Sequence, residues 1–187
     1  MTPPAIVLRD WAPRDAPTLH RLVTEAQDSL RPWMSWAAGE YTLADAEAFI
    51  AGVAGHRAEG SVRAHAITVR GAPVGVVGLE RNEFPDAVEI GYWLHPAHTG
   101  HGYATLAAGL AVEEAFTLPW VARVQIWHDA ANTASAAVPR RLGFTETARR
   151  TPPREPAFGS EVGIDVIWEL TTPPRRLGAA ARGRPVS

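Results

Sequence analysis

Apolar side chains at Leu19, Leu22, Val23 and Ala26 return every three or four positions, which predicts a helix over Asp15 to Gln27 with one buried face. Ahead of it, Ile6 to Trp11 predicts a strand ended by Pro13. The segment 31–36 breaks the helix, and Thr42 followed by Asp45 predicts a capped start for a second one through Phe49, Ile50 and Val53, closed by Gly60. Two β-rich runs, Val62 to Val69 and Pro73 to Glu80, flank Arg70, Gly71 and Ala72, a short turn in which glycine can supply positive φ; together they predict an antiparallel hairpin. Ala87 to Leu94 predicts the next strand. Tyr103 to Phe116 then reads as a long helix with Leu106, Ala107, Leu110 and Ala111 on one face, stopped at residues 117–119. An alternating strand over Val121 to Trp127, a helix over Asn132 to Leu142 closed by Gly143, and a strand pair Phe144 to Arg150 and Val162 to Leu170 complete the pattern.

A chain of 187 residues with 46% hydrophobic side chains can fill one sizeable core, so a single domain over residues 1–171 is expected. Residues 172–187 contain three prolines and four arginines with little to bury, which predicts a disordered tail. Net charge is only −2 and no basic patch suggests nucleic acid. Every basic side chain apart from histidine is arginine, because the sequence has no lysine. With no cysteine, disulfides, thiolate–zinc sites and a covalent acyl-cysteine mechanism are excluded. No charged leader precedes an apolar run, and nowhere do 18 apolar residues follow one another; the expected location is the cytoplasm, with no membrane partner.

Gly100 and Gly102 lie between a strand and a helix whose first-turn N–H groups are unpaired, and such a junction attracts phosphate through those donors and the helix dipole. An ordinary turn needing glycine for its backbone angles has the same signature. A dinucleotide fold would need a third glycine where Thr105 stands, and a Walker loop would need lysine. His95, His98 and His101 recur every third residue, but Pro96 and Gly100 interrupt them and no carboxylate accompanies them in the loop, so no metal is expected. Of seven tryptophans, Trp93, Trp127 and Trp168 fall in predicted strands, where an aromatic is usually core.

Taken jointly, the run Glu89, Ile90, Gly91, Tyr92, Trp93, Leu94, then Thr99, Gly100, His101, Gly102, Tyr103, Ala104, then Asn132 and Ser135, then Arg141 to Phe144, resembles the GNAT superfamily of N-acetyltransferases. Within it the chain is most similar to the branch of ribosomal-protein N-terminal acetyltransferases of RimJ/RimL type, and the segment Leu30 to Trp36 shares in that resemblance, which spans residues 5–170. The fold implied is α/β (α+β): a mixed, mostly antiparallel central sheet of about six or seven strands flanked by about four helices. The activity implied is transfer of an acetyl group from acetyl-coenzyme A to a primary amine through a ternary complex. The acceptor is a protein or peptide N-terminus; the alternatives are a small amine such as an antibiotic or metabolite, or a non-catalytic coenzyme A-binding domain. Monomer and homodimer are both compatible with it.

The resemblance also implies site residues. Coenzyme A would lie along Tyr92, Trp93 and Leu94, with its pyrophosphate on the amides of Thr99, Gly100, His101, Gly102, Tyr103 and Ala104 and its pantetheine arm against Asn132. Glu89 would accept the amine proton, with Glu80 in reserve, and Ser135 would donate to the departing thiolate. A solvated strand-edge role remains open for Glu89, and helix capping for Asn132 and Ser135. Trp33 and Trp36 would border the acceptor, or pack on the sheet. Two departures stand out: Thr99 replaces the glutamine or arginine usual in the family, and Pro139 interrupts the helix that follows Ser135.

Overall fold

The computed structural model describes residues 6–59 and 62–172; the expected tail and the glycine stop at position 60 lie outside them. The first strand, β1 (Ile6–Asp10), leads through Asp15 into α1 (Ala16–Leu30). Asp15 stands before the helix, its carboxylate taking the Ala12 N–H at 2.8 Å and the Arg9 guanidinium at 2.7 and 3.0 Å. Thr42 and Asp45 form the predicted reciprocal cap, Asp45 N–H donating to Thr42 Oγ and Thr42 N–H to Asp45 Oδ2, and α2 (Leu43–Glu59) follows.

The hairpin β2 (Val62–Val69) and β3 (Ala72–Arg81) turns on two left-handed residues, Arg70 at φ 51° and Gly71 at φ 83°. A two-residue turn of this hand matches the twist of its strands, so arginine shares a conformation that the sequence assigns to glycine alone. Then come β4 (Ala87–Leu94), α3 (Tyr103–Ala115), β5 (Arg123–Asp129), α4 (Thr133–Arg141), β6 (Thr145–Arg150) and β7 (Asp165–Leu170). Two strands begin later than their hydrophobicity suggests, because other acceptors capture their first N–H groups. Asp86 O takes those of Ala122 and Arg123, and the Asp129 carboxylate takes those of Val162, Gly163 and Ile164.

The seven strands form one sheet in the order β1-β2-β3-β4-β5-β7-β6, antiparallel except between β4 and β5. On one face α3 and α4 bury Ala107, Ala108, Ala111, Val112, Val138 and Leu142 against Ile67, Val77, Leu79, Ile90, Val124 and Ile126. The alanines of α3 bring that helix close to the sheet. On the other face α1 and α2 bury Leu19, Val23, Leu30 and Ile50 against Ala64, Ala66 and Val76. Among the described residues no helix is long and apolar enough to cross a membrane.

One ionic cluster is built into the α3 face. His65 Nε2 lies 2.9 Å from Glu114 Oε2, its Nδ1 3.2 Å from Asp10 Oδ1, and Arg63 reaches Glu114 Oε1 at 2.7 Å. The close approach of His65, then the hydrogen bond from Arg63, holds the Glu114 carboxyl far below its ordinary 4.5, at about 2, against the opposing cost of burial. A carboxyl depressed by folding adds stability that is fully present above its unfolded value. Stability should therefore fall as pH drops from 4.5 toward 2, and Glu114→Gln should flatten that part of an acid-denaturation curve. An unchanged acid limb would remove Glu114 from the cause.

Candidate active site

Strands β4 and β5 run side by side for only three register pairs, ending at Glu89 opposite Gln125, and then separate. From Ile90 onward β4 keeps its β3 neighbour but has none on the β5 side, and a cleft of about 1010 Å³ opens along it. Tyr92, Trp93 and Leu94 form one wall, and Asn132 and Ser135 at the start of α4 face them. At one end stands the glycine loop, residues 99–104; at the other stand Ser29, Leu30, Trp33 and Met34 together with Arg154, Pro156 and Phe158.

Gly100 and Gly102 take φ of 77° and 78°, so the sequence supplies glycine where a side chain would strain the backbone. A Cβ built on either would meet only open space. Gly102 precedes α3 without a capping side chain, so the first-turn N–H groups are left open. Thr105 Oγ, on the same turn and lining the cleft, is buried without a partner. These donors fit an anionic diphosphate. The Thr99 hydroxyl is spent on Pro96 O at 2.8 Å, so this residue offers the cleft its backbone. His101 Nδ1 lies 2.8 Å from Thr99 O; a carbonyl only accepts, so Nδ1 carries the proton, and the ring stacks on Tyr103.

Asn132 caps α4 by accepting the Ser135 N–H at 3.1 Å, which leaves its own amide N–H groups to donate elsewhere. Glu89 stands at the point where the strands part. Both of its oxygens bind Arg154, at 2.7 and 3.0 Å, and the guanidinium lies 4.5 Å from the centre of the Trp127 ring. Each carboxylate oxygen keeps a further lone pair for a water or an amine. Glu80 pairs opposite Glu89 in the ladder but does not line the cleft.

The connection 151–164, which carries Arg154, is fastened to the body of the protein at several places. Arg154 N–H donates to Asp165 Oδ2, Ser160 N–H donates to Pro32 O at 3.0 Å, and Gly159, at φ 59°, approaches Pro32 so closely that a Cβ would stand 2.6 Å from its carbonyl oxygen. Asp129 accepts four backbone N–H groups, those of Ala131, Val162, Gly163 and Ile164, between 2.8 and 3.2 Å. Burial alone would raise the Asp129 carboxyl, but these donors outweigh it and hold the group below its ordinary value.

For Trp33 and Trp36 the sequence leaves open either the acceptor border or packing on the sheet. Trp33 lines the cleft, whereas Trp36, 46% exposed, does not line it and packs against Trp93 of the sheet and Tyr41. Trp127, read as core, instead lines the cleft beneath Arg154. Trp168 is core, and its Nε1 donates to His128 Nε2 while His128 Nδ1 donates to Asp129 O. Both His128 nitrogens are engaged, so this cleft residue has no free lone pair with which to act as a base. Of the three loop histidines, His95 lies 3.3 Å from Glu25 Oε2, a carboxylate brought in by α1, and burial, then His95 and His101, lowers His98. Among the described residues no group of three or more histidines and carboxylates is arranged to hold a metal.

A family model described as an acetyltransferase (GNAT) domain matches residues 5–145. The proposed ribosomal N-acetyltransferase YdaF of Bacillus subtilis (strain 168) is 29% identical over 77% of this chain and 80% of its own. The solved structure of RimL, a ribosomal L7/L12 alpha-N-protein acetyltransferase in complex with coenzyme A, superposes with a TM-score of 0.81 at 20% identity, covering 91% of this chain and 96% of that one. Mycobacterium smegmatis RimJ, in complex with CoA-disulfide, gives 0.80 at 23% identity, over 91% and 83%. At these identities the two structures share the fold with this chain.

Proposed function

Because the chain belongs to the GNAT acetyltransferase family, we propose that it acetylates a protein or peptide N-terminal α-amine by direct attack within a ternary complex. It is an acyltransferase with acetyl-coenzyme A as donor. The observation that carries the reading is the parting of β4 from β5 beyond Glu89, which gives one continuous cleft with phosphate-binding donors at one end and an acidic mouth at the other. Glu89, Asp129, Glu155, Glu161 and Asp165 line the cleft against two guanidinium groups, Arg141 and Arg154, an acidic balance suited to an ammonium.

In this reading the backbone N–H groups from Thr99 to Ala104 take the diphosphate, with Thr105 Oγ beside them. The pantetheine arm runs along Tyr92, Trp93 and Leu94, and the Asn132 amide donates to it. The amine enters past Trp33, attacks the thioester carbonyl and gives its proton to Glu89, directly or through water. Sulfur leaves beside the Ser135 hydroxyl. A free α-amine, with an ordinary pKa of about 7.7 to 8.0, is roughly one-tenth neutral at pH 7, whereas a lysine near 10.4 is almost wholly charged, so one carboxylate suffices for the former. RimL, a ribosomal L7/L12 alpha-N-protein acetyltransferase, and YdaF, a proposed ribosomal N-acetyltransferase, support an N-terminal acceptor.

The test is thiol release from acetyl-coenzyme A, measured against N-terminal peptides and small amines. Faster turnover of peptides is expected; turnover confined to small amines would replace the acceptor, and no calorimetric binding of coenzyme A by folded protein would end the reading. Ser135→Ala should lower kcat about tenfold with the fold intact. Unchanged turnover would withdraw the thiolate role.

A further inference from the structure

Pro139 stands four residues after Ser135 inside α4, the position whose N–H would ordinarily close the helix onto the Ser135 carbonyl. Proline has no such hydrogen, and its ring crowds that same carbonyl. The structure supplies a replacement donor from another element: the Tyr92 hydroxyl of β4 donates to Ser135 O at 3.2 Å. The same phenolic oxygen lies 3.2 Å from Ser135 Oγ. With its single proton directed to the carbonyl, it receives the Ser135 O–H. We propose that Tyr92 and Pro139 are positioning residues for the Ser135 hydroxyl, proline freeing a carbonyl that draws the phenol into place and the phenol then fixing Oγ beside the departing sulfur.

This rests on the role given to Ser135 above. Burial pushes the Tyr92 hydroxyl up to about 12, the Ser135 contact pulling the other way, so the phenol stays protonated while a thiol of ordinary pKa near 8.5 departs. Tyr92 therefore holds Oγ and gives up no proton. As the C–N bond forms and the C–S bond breaks, the electron pair passes to sulfur and the amine proton to Glu89 or water. The Ser135 hydrogen then turns from a neutral phenol to an anionic sulfur, a stronger acceptor. The sequence flagged Pro139 as a departure from the family; here the missing N–H becomes part of the site.

Tyr92→Phe keeps the ring and removes the hydroxyl. It should lower kcat about fivefold to tenfold, leave the KM for acetyl-coenzyme A within about twofold, and lower the thermal midpoint by leaving Ser135 O short of a donor. Tyr92→Phe/Pro139→Ala returns a backbone N–H to that carbonyl, so the midpoint should recover while kcat stays low. In a Ser135→Ala background Tyr92→Phe should cost no further turnover. Recovery of kcat together with the midpoint would reduce Tyr92 to a prop for the helix and overturn the proposal, as would a normal kcat in Tyr92→Phe. Slow Ser135→Ala with normal Tyr92→Phe overturns the proposal alone, whereas unaltered Ser135→Ala removes the reading beneath it as well.

Discussion

Glutamine in place of Glu89 is expected to lower kcat about 100-fold near pH 7, with the deficit narrowing toward pH 9, where an α-amine no longer needs a base. The variant also loses the ionic half of its bond to Arg154, at 2.7 and 3.0 Å, so one substitution does not separate base from anchor. Arg154→Gln separates them, because it breaks the pair while leaving the carboxylate. If Glu89 takes the proton, Arg154→Gln should keep a pH profile of the native shape with a raised acceptor KM. Equal losses of kcat in both variants, with parallel pH profiles, would instead make Glu89 a tether for the connection 151–164.

The largest loss of stability is expected from Asp129→Ala. Four backbone N–H groups converge on the carboxylate of a residue that is only 8% exposed, and alanine leaves them facing a hole. Stranded buried donors cost about 1–3 kcal/mol each where water cannot reach them; with partial rescue by water the total should be about 3–5 kcal/mol. Urea unfolding measures it directly. A loss below about 1 kcal/mol would mean that the segment after Glu161 finds its own partners. Since the same segment ends the cleft, the surviving folded protein should also show a raised acceptor KM.

Much of this architecture is written in local patterns. Helical spacing in α1, the Thr42–Asp45 cap and the glycines at 100 and 102 each act within a few residues, and each appears where the sequence puts it. The α3 helix appears too, but its buried face is Ala107, Ala108, Ala111 and Val112, while Leu106 and Leu110, expected on that face, are exposed, because small side chains let the helix lie close to the sheet. The beginnings of β5 and β7 are displaced because the Asp86 carbonyl and the Asp129 carboxylate intercept N–H groups, and such acceptors leave no periodic trace. The cleft follows the same division. Its loop is legible, but Glu89 meets Arg154 across 65 positions and Tyr92 meets Ser135 across 43, pairings set by the sheet order. Trp127 was read as core because strands usually bury tryptophan, a rule that fails where a strand loses its neighbour.

That lost neighbour has a consequence for the lifetime of the protein itself. Beyond Glu89 the main chain of β4 presents hydrogen-bonding groups to the cleft with no strand to receive them, so a carrier with amides of its own can complete the ladder. A ligand that binds only the native state adds free energy by mass action, about 2.7 kcal/mol at 100 times its dissociation constant. The chain should thus resist heat and proteolysis better with the acyl carrier bound than without it.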